Sequence, residues 1–202
     1  MKFDIATGDA AVRCARRAIE AYLSRGEIYE CVGLPSEKRG VFVSLYRHPT
    51  HELRGCIGFP YPVLPLSEAL VKAAISAAIE DPRFNPVNLE ELDGLIVEVS
   101  ILTPPEEIKY RERLELPNLI KVGVDGLIIE TPYGSGLLLP QVPIEYGWDA
   151  ETFLTHLCLK AGLNPTYWIH GKMRILRYTA QIFRERTPKG EVVEVPLSVE
   201  TC

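Results

Sequence analysis

Apolar and polar positions follow a helical period at the start of the chain. Over residues 7–25, apolar side chains recur at steps of three and four, which predicts an amphipathic helix. The basic residues of this segment, Arg16 among them, are expected on its solvent side, where Arg16 can pair with Glu20 one turn on. Gly26 is the expected stop signal.

A period of two follows, and it predicts a β-hairpin. Residues 41–47 and 53–59 alternate as strands around the polar loop 48–52. A five-residue loop pairs Arg47 with Leu53. The register is an assumption, because a slip of one residue exchanges the two faces of a strand.

On this register, one face of the hairpin is apolar and the other is polar. Ser44 lies opposite Cys56, and Tyr46 lies opposite Arg54. The polar face therefore gathers a hydroxyl, a thiol, a phenol and a guanidinium, whereas the apolar face suits the core.

The remaining pattern favours an α+β protein. The further predicted helices are 66–81, 89–92 and 150–161, and the further strands are 95–102, 120–124, 127–130, 137–139 and 173–185. Asp125-Gly126 is a type I′ turn signal between two of these strands. Because hairpins outnumber βαβ units, we expect a largely antiparallel sheet with helices on one face. Residues 103–118 are expected to be a surface excursion, and residues 187–202 a loosely held C-terminal tail.

Composition narrows the class of protein. The 202 residues suit one domain or two small lobes, and a formal net charge of -5 disfavours a general nucleic-acid surface. The N-terminus has no apolar signal core and no apolar run reaches membrane length, so we expect a cytoplasmic protein without a membrane span. Five scattered cysteines favour reduced thiols over a disulfide framework. The scarcity of Asn and Gln is typical of a thermophile.

The candidate chemistry lies in the segment LRGCIG, residues 53–58. A cation such as Arg54 can lower the pKa of a neighbouring thiol such as Cys56, and the thiolate is the nucleophile. Gly55 and Gly58 remove side chains where another backbone or a ligand comes close. Arg54 and Cys56 are the candidate catalytic residues, and Cys56 is alternatively a small buried apolar side chain.

Neighbouring residues allow weaker hypotheses. His51 is the nearest candidate base for Cys56, and the spacing of His48 and His51 could begin a metal site. Arg83 is either a second cation of the site or part of a surface salt bridge. Glu98, inside an apolar strand, lies either on an open sheet face or in the site. We assign no metal site and no cofactor.

Several motifs in order resemble one family. They are LRGCIG at 53–58, DPRF at 81–84, VSIL at 99–102, GVDGL at 123–127, LLLPQV at 137–142, GW at 147–148 and KAGL at 160–163. The chain is identified as an archaeal or bacterial stand-alone member of the AMMECR domain family, with the resemblance covering nearly its whole length. This implies a single domain over residues 1–202, with a larger antiparallel sheet flanked by helices and a smaller sheet subdomain. It also implies that the LRGCIG segment lines a cleft between two lobes.

The resemblance implies little about the reaction. It suggests functional association with a Memo-type protein and a radical-SAM enzyme in a pathway that modifies RNA or protein. The first hypothesis is an enzyme that uses Cys56. The alternatives are a non-catalytic module that binds a nucleotide, another small molecule or RNA, with aromatics near Trp148 supplying stacking, and a scaffold for partner enzymes. The candidate ligand-binding residues are Ser44, Tyr46, Leu53, Arg54, Gly55, Cys56, Ile57 and Gly58.

Overall fold

A computed structural model describes residues 2–196 of the chain. The helices are α1 (Ile5–Arg25), α2 (Leu66–Ile79), α3 (Leu89–Leu92), α4 (Val142–Glu145), α5 (Ala150–Lys160) and α6 (Tyr167–His170), with a 3₁₀ helix at Arg113–Leu119. The strands are β1 (Gly40–Arg47), β2 (Leu53–Phe59), β3 (Leu95–Leu102), β4 (Glu106–Glu107), β5 (Gly126–Thr131), β6 (Gly134–Leu138), β7 (Arg174–Tyr178), β8 (Ala180–Glu185) and β9 (Val192–Val195). The chain divides into a first unit, Met1–Pro104 with Gln181–Val195, and a second unit that contains Pro105–Ala180.

The first unit is a five-stranded sheet covered on one face by α1 and α2. Its strand order is β2-β1-β3-β8-β9, and β1 pairs antiparallel with both β2 and β3. Val41, Val43 and Leu45 point from β1 into the fully buried core beneath the helices. The helix face of the sheet therefore excludes water, and the opposite face of β1 is the one that carries polar side chains.

A buried ion pair joins the N-terminal helix α1 to strand β8, in the C-terminal segment of the first unit. Arg16 of α1 donates from Nε and Nη2 to the carboxylate oxygens of Glu185 on β8, at 2.7 and 2.6 Å. Arg16 Nη2 also donates to Leu95 O at 2.6 Å, and Val97 N donates to Glu185 at 3.1 Å. The expectation that Arg16 lies on the solvent side with Glu20 is wrong, because these partners compensate the burial of its charge.

Cys14 of α1 and Cys31 of the following connector form a disulfide, with their Cα atoms 5.8 Å apart. The prediction of reduced thiols is therefore wrong for this pair, while Cys56 and Cys158 are free. This pairing was not predictable from the sequence, because the two cysteines are 17 residues apart and match no framework spacing. Cross-linking shortens the free length of chain between helix and connector in the unfolded state.

The second unit is a four-stranded sheet of order β4-β7-β5-β6 with its own core. The predicted hairpin at 120–130 is wrong, because β5 pairs with β6 and β7 rather than with residues 120–124. Asp125 is buried and accepts a hydrogen bond from Lys121 N at 2.8 Å, which folds this stretch into a turn. The Asp-Gly pair thus marks the entry to a strand instead of a hairpin tip.

The C-terminal region also differs from the sequence prediction. The single strand region predicted at 173–185 is two strands, β7 and β8, which belong to different sheets. The predicted tail at 187–202 includes β9, which pairs antiparallel with β8, and residues 197–202 lie outside the described residues. The predicted α+β class, with a larger and a smaller antiparallel sheet, is confirmed. Among residues 2–196, no helix is long and apolar enough to cross a membrane.

Candidate functional site

The LRGCIG segment is strand β2, at the edge of the first unit's sheet. Ser44 pairs with Cys56 and Leu45 with Gly55, but Tyr46 pairs with Leu53. Arg54 is therefore an extra residue in a β-bulge. The predicted Ser44–Cys56 pair is confirmed, whereas the pairing of Tyr46 with Arg54 is wrong because the bulge shifts the register by one residue.

A line of polar side chains crosses this sheet, and we call it the polar row: Cys56, Ser44, Glu98 and Arg184. Cys56, Ser44 and Glu98 are cross-strand neighbours on β2, β1 and β3. Ser44 Oγ donates to Cys56 Sγ at 3.2 Å, and Arg184 Nη1 of β8 donates to Glu98 at 3.5 Å. The in-register strands place a thiol, a hydroxyl, a carboxylate and a guanidinium side by side.

The surroundings of the Cys56 thiol favour its neutral form. Burial raises its pKa above the ordinary value, and the charges of Glu98 and Asp81 act in the same direction. The hydrogen bond from Ser44 and the charge of Arg83 lower the pKa but do not outweigh burial. No histidine is hydrogen-bonded to Cys56 within residues 2–196. These interactions favour a hydrogen-bonding thiol, and a nucleophilic role for Cys56 stays a prediction.

The outer edge of β2 is closed by the turn after α2. Cys56 N donates to Asp81 Oδ2 at 2.8 Å, and Arg83 forms a two-point contact with the same carboxylate at 2.9 and 2.7 Å. These bonds lower the pKa of Asp81 to about 2, chiefly through Arg83. The Arg83 side chain is 54% exposed. It is the cation whose charge acts on the Cys56 thiol.

Arg54 is bound to another carboxylate. Its Nε and Nη2 donate to Glu91 at 2.6 and 3.0 Å, and Nη2 also donates to Asn85 O at 2.9 Å. The guanidinium lies 5.7 Å from the centre of the Phe84 ring. Only 7% of the Arg54 side chain is exposed, and Arg54 is absent from the groups that shift the pKa of Cys56. These contacts fasten β2 to the 81–92 segment, and a direct role for Arg54 in ligand binding stays a prediction.

The two glycines of the segment are needed by the protein's own packing. A Cβ at Gly55 would lie 2.2 Å from Ala77 O, so glycine lets α2 approach the sheet. A Cβ at Gly58 would lie 2.5 Å from the Phe42 ring, which occupies that space. Ile57 packs against the core. These contacts explain the composition of β2 without a ligand.

The loop 48–52 between β1 and β2, which carries His48 and His51, contributes one ring contact beside the polar row. His51 has a left-handed backbone (φ 63°), and its ring meets the edge of Tyr46 at 5.2 Å. Burial, followed by the charges of Arg184 and His48, lowers the pKa of His51. Within residues 2–196, no group of three or more His, Cys, Asp or Glu side chains could hold a metal ion. The His48–His51 metal hypothesis therefore has no ligand set in this part of the chain.

Three contributors to the site were not assigned to it from the sequence. Asp81 takes the β2 backbone N–H, Glu91 holds Arg54, and Arg184 completes the polar row. Asp81 lies in the turn after α2 and Glu91 in the short helix α3, where the sequence indicates only a polar turn and a polar helix. Glu98 gave a usable signal, because a buried carboxylate inside a strand needs a partner.

Comparison with known proteins identifies the family. The family model described as AMMECR1 matches residues 12–183, so the chain belongs to the AMMECR1 family. It is similar to Protein MJ0810 of Methanocaldococcus jannaschii, with 56% identity over 94% of this chain and 96% of the relative. A protein of Thermococcus onnurineus is 55% identical over 94% of this chain and 96% of its own length.

A solved structure supports the fold. The crystal structure of the uncharacterized protein PH0010 from Pyrococcus horikoshii superposes with a TM-score of 0.89 at 52% sequence identity. The match covers 95% of this chain and 97% of that chain. The relatives come from thermophiles, in agreement with the composition.

Proposed function

We propose that the polar row is a binding site for a small polar molecule that carries an anionic group, and that Cys56 contributes to it as a neutral thiol. The observation that carries this proposal is the in-register placement of Cys56, Ser44 and Glu98 on three adjacent strands. Side chains fixed by a sheet ladder lose little conformational entropy when a ligand binds.

Cations at both ends of the row supply the charge for an anionic group. Arg184 lies at the Glu98 end, and Arg83 acts on Cys56 from the β2 edge. Each is already paired with one carboxylate, which leaves donor N–H groups on a planar guanidinium for a further acceptor. Arg54 is less suited to this role because Glu91 and Asn85 already engage it.

Alkylation of cysteines under native conditions tests both parts of the proposal. At pH 7, iodoacetamide should modify Cys56 more slowly than N-acetylcysteine, because burial raises the pKa of the thiol. Saturating inorganic phosphate or AMP should slow this modification further, while peptide mapping follows the fully buried Cys158 as an internal control. Alkylation of Cys56 faster than that of N-acetylcysteine would instead show an activated thiol and favour the thiol-enzyme hypothesis. Unchanged rates with both anions would refute the anion site.

The pathway is a separate part of the proposal. The family resemblance supports a place beside a Memo-type protein and a radical-SAM enzyme in the modification of RNA or protein. Co-elution of the purified chain with either protein from the same organism is the expected result. Independent elution at micromolar concentrations of both partners would count against stable association.

A further inference from the structure

Three aromatic rings form a continuous stack in the second unit. Tyr146 stacks on Trp148 with ring centres 5.0 Å apart, and Trp148 stacks on His156 at 3.8 Å with the planes 6° apart. His156 lies on α5, and Tyr146 follows α4. We call these three side chains the aromatic stack.

Backbone hydrogen bonds fix the loop that carries the stack. Tyr146 N donates to Val142 O at 3.2 Å, and Trp148 N donates to Pro143 O at 2.8 Å. Gly147 between them has a left-handed backbone, with φ 65°, which other residues rarely adopt. The outermost ring, Tyr146, is 68% exposed. A rigid, exposed aromatic side chain offers contact area at a low cost in conformational entropy.

The segment that carries the stack is acidic in sequence, up to Lys160 at the end of α5. Residues 122–159 contain no Lys or Arg and five acidic residues, so they account for a charge equal to the chain's whole formal net charge of -5. Glu145, Asp149 and Glu151 flank the stack in sequence, and none of them forms an ion pair with any residue from 2 to 196. Desolvation raises the pKa of Glu145 above its ordinary value. Phosphate groups would be repelled here, whereas a cation would be attracted.

We propose that the aromatic stack binds an arginine side chain from a basic segment of a partner protein. The guanidinium plane lies on the exposed face of Tyr146 through a cation–π contact, which Arg makes more often than Lys. Glu145 and Glu151 accept hydrogen bonds from the guanidinium, and Asp149, which also caps α5 through Thr152 N, adds to the charge complementarity that selects the partner. This surface belongs to the second unit, whereas the polar row belongs to the first, so the proposal does not depend on the proposed anion site.

Binding of short oligomers to the full chain tests the proposal. A hexa-arginine peptide should bind more tightly than hexa-lysine, and both more tightly than a six-nucleotide single-stranded RNA, by calorimetry at 50 mM salt. Tyr146→Ala should weaken hexa-arginine binding by about two- to fivefold, in line with loss of a cation–π contact at an exposed site. The control Tyr133→Ala removes another tyrosine that is 80% exposed and should leave the affinity unchanged.

A second pair of variants separates the charge from the ring. The double variant Glu145→Gln/Glu151→Gln should bind hexa-arginine more weakly, and its binding should depend less on salt. Its circular dichroism spectrum should be that of the wild type. Equal affinities of wild type and Tyr146→Ala for hexa-arginine would overturn the proposal. Tighter binding of the RNA than of hexa-arginine would overturn it as well, in favour of a nucleic-acid surface.

Discussion

Replacing Arg54 by Ala should destabilise the protein and leave the reactivity of Cys56 unchanged. Charge-assisted hydrogen bonds contribute about 1.5–3 kcal/mol each, and removing one partner of a buried ion pair costs about 3–5 kcal/mol. Glu91 is 20% exposed and keeps a contact with Arg47 at 3.0 Å, so its remaining charge is partly compensated. We therefore expect a loss of about 3 kcal/mol in the free energy of unfolding.

Arg83→Ala is the matched control, because Arg83 also holds one carboxylate but is far more exposed. It should lower the free energy of unfolding by about 1–2 kcal/mol, less than Arg54→Ala, because the guanidinium of Arg83 is half exposed and the buried Asp81 keeps its hydrogen bond from Cys56 N. It should also raise the pKa of Cys56 further, because the charge of Arg83 lowers that pKa. Arg54→Ala is thus expected to change mainly the stability, whereas Arg83→Ala is expected to change the reactivity of the thiol.

The assay combines guanidinium unfolding with the pH profile of Cys56 alkylation. For a chain of this size, about 3 kcal/mol corresponds to a fall of about 6–12 °C in the thermal midpoint. An Arg54→Ala variant with wild-type stability and slowed Cys56 alkylation would refute this reasoning. That result would restore the sequence-based hypothesis that Arg54 acts on the thiol.

Three further changes have defined outcomes. Arg16→Ala should cost about 3–5 kcal/mol by chemical denaturation, because the buried Glu185 then keeps the longer contact with Arg13, at 3.5 Å, as its ion pair. Arg16→Met with Glu185→Leu should cost less, and equal losses would contradict the ion-pair account. The depressed pKa of Asp81 stabilises the fold above pH 4, and this contribution is lost as the pH falls through about 2. Urea midpoints of Asp81→Asn should therefore change less between pH 4 and 2 than those of wild type. Reducing the Cys14–Cys31 disulfide should lower the free energy of unfolding by about 3 kcal/mol for its 17-residue separation, and identical melting with and without dithiothreitol would show that the link contributes nothing.

Local patterns predicted the first unit well because its elements have strong periodicity. Strands β2 and β3 and helix α3 have the predicted bounds, and the Ser44–Cys56 pair follows from the hairpin. The bulge at Arg54 was not predictable, since alternation shows the faces of a strand but not an inserted residue. The Asp-Gly pair of the second unit gave a wrong hairpin prediction for a related reason. The tertiary pairing of β5 with β7 overrides the local turn signal.

The candidate site was predicted in position but not in its contacts. The sequence located the thiol and the edge strand, yet the partner of Arg54 lies 37 residues away in the chain. Such pairings depend on how α2 and the segment after it return along β2. The spacing of residues along the sequence does not show where this segment runs. The contacts of each charged side chain could therefore be derived only from the folded structure.

The closure of the first unit by its last strands has a consequence for synthesis on the ribosome. Arg16 and Glu185 are 169 positions apart, and Phe3 N donates to Gln181 Oε1 across 178 positions. The ribosome completes the continuous stretch 105–180 of the second unit first. The first unit is complete only after residues 181–195, which belong to it, have been synthesised. Because domains fold as their chains become complete, we expect the second unit to fold first. The N-terminal helix then keeps an uncompensated Arg16 until the final strands leave the exit tunnel.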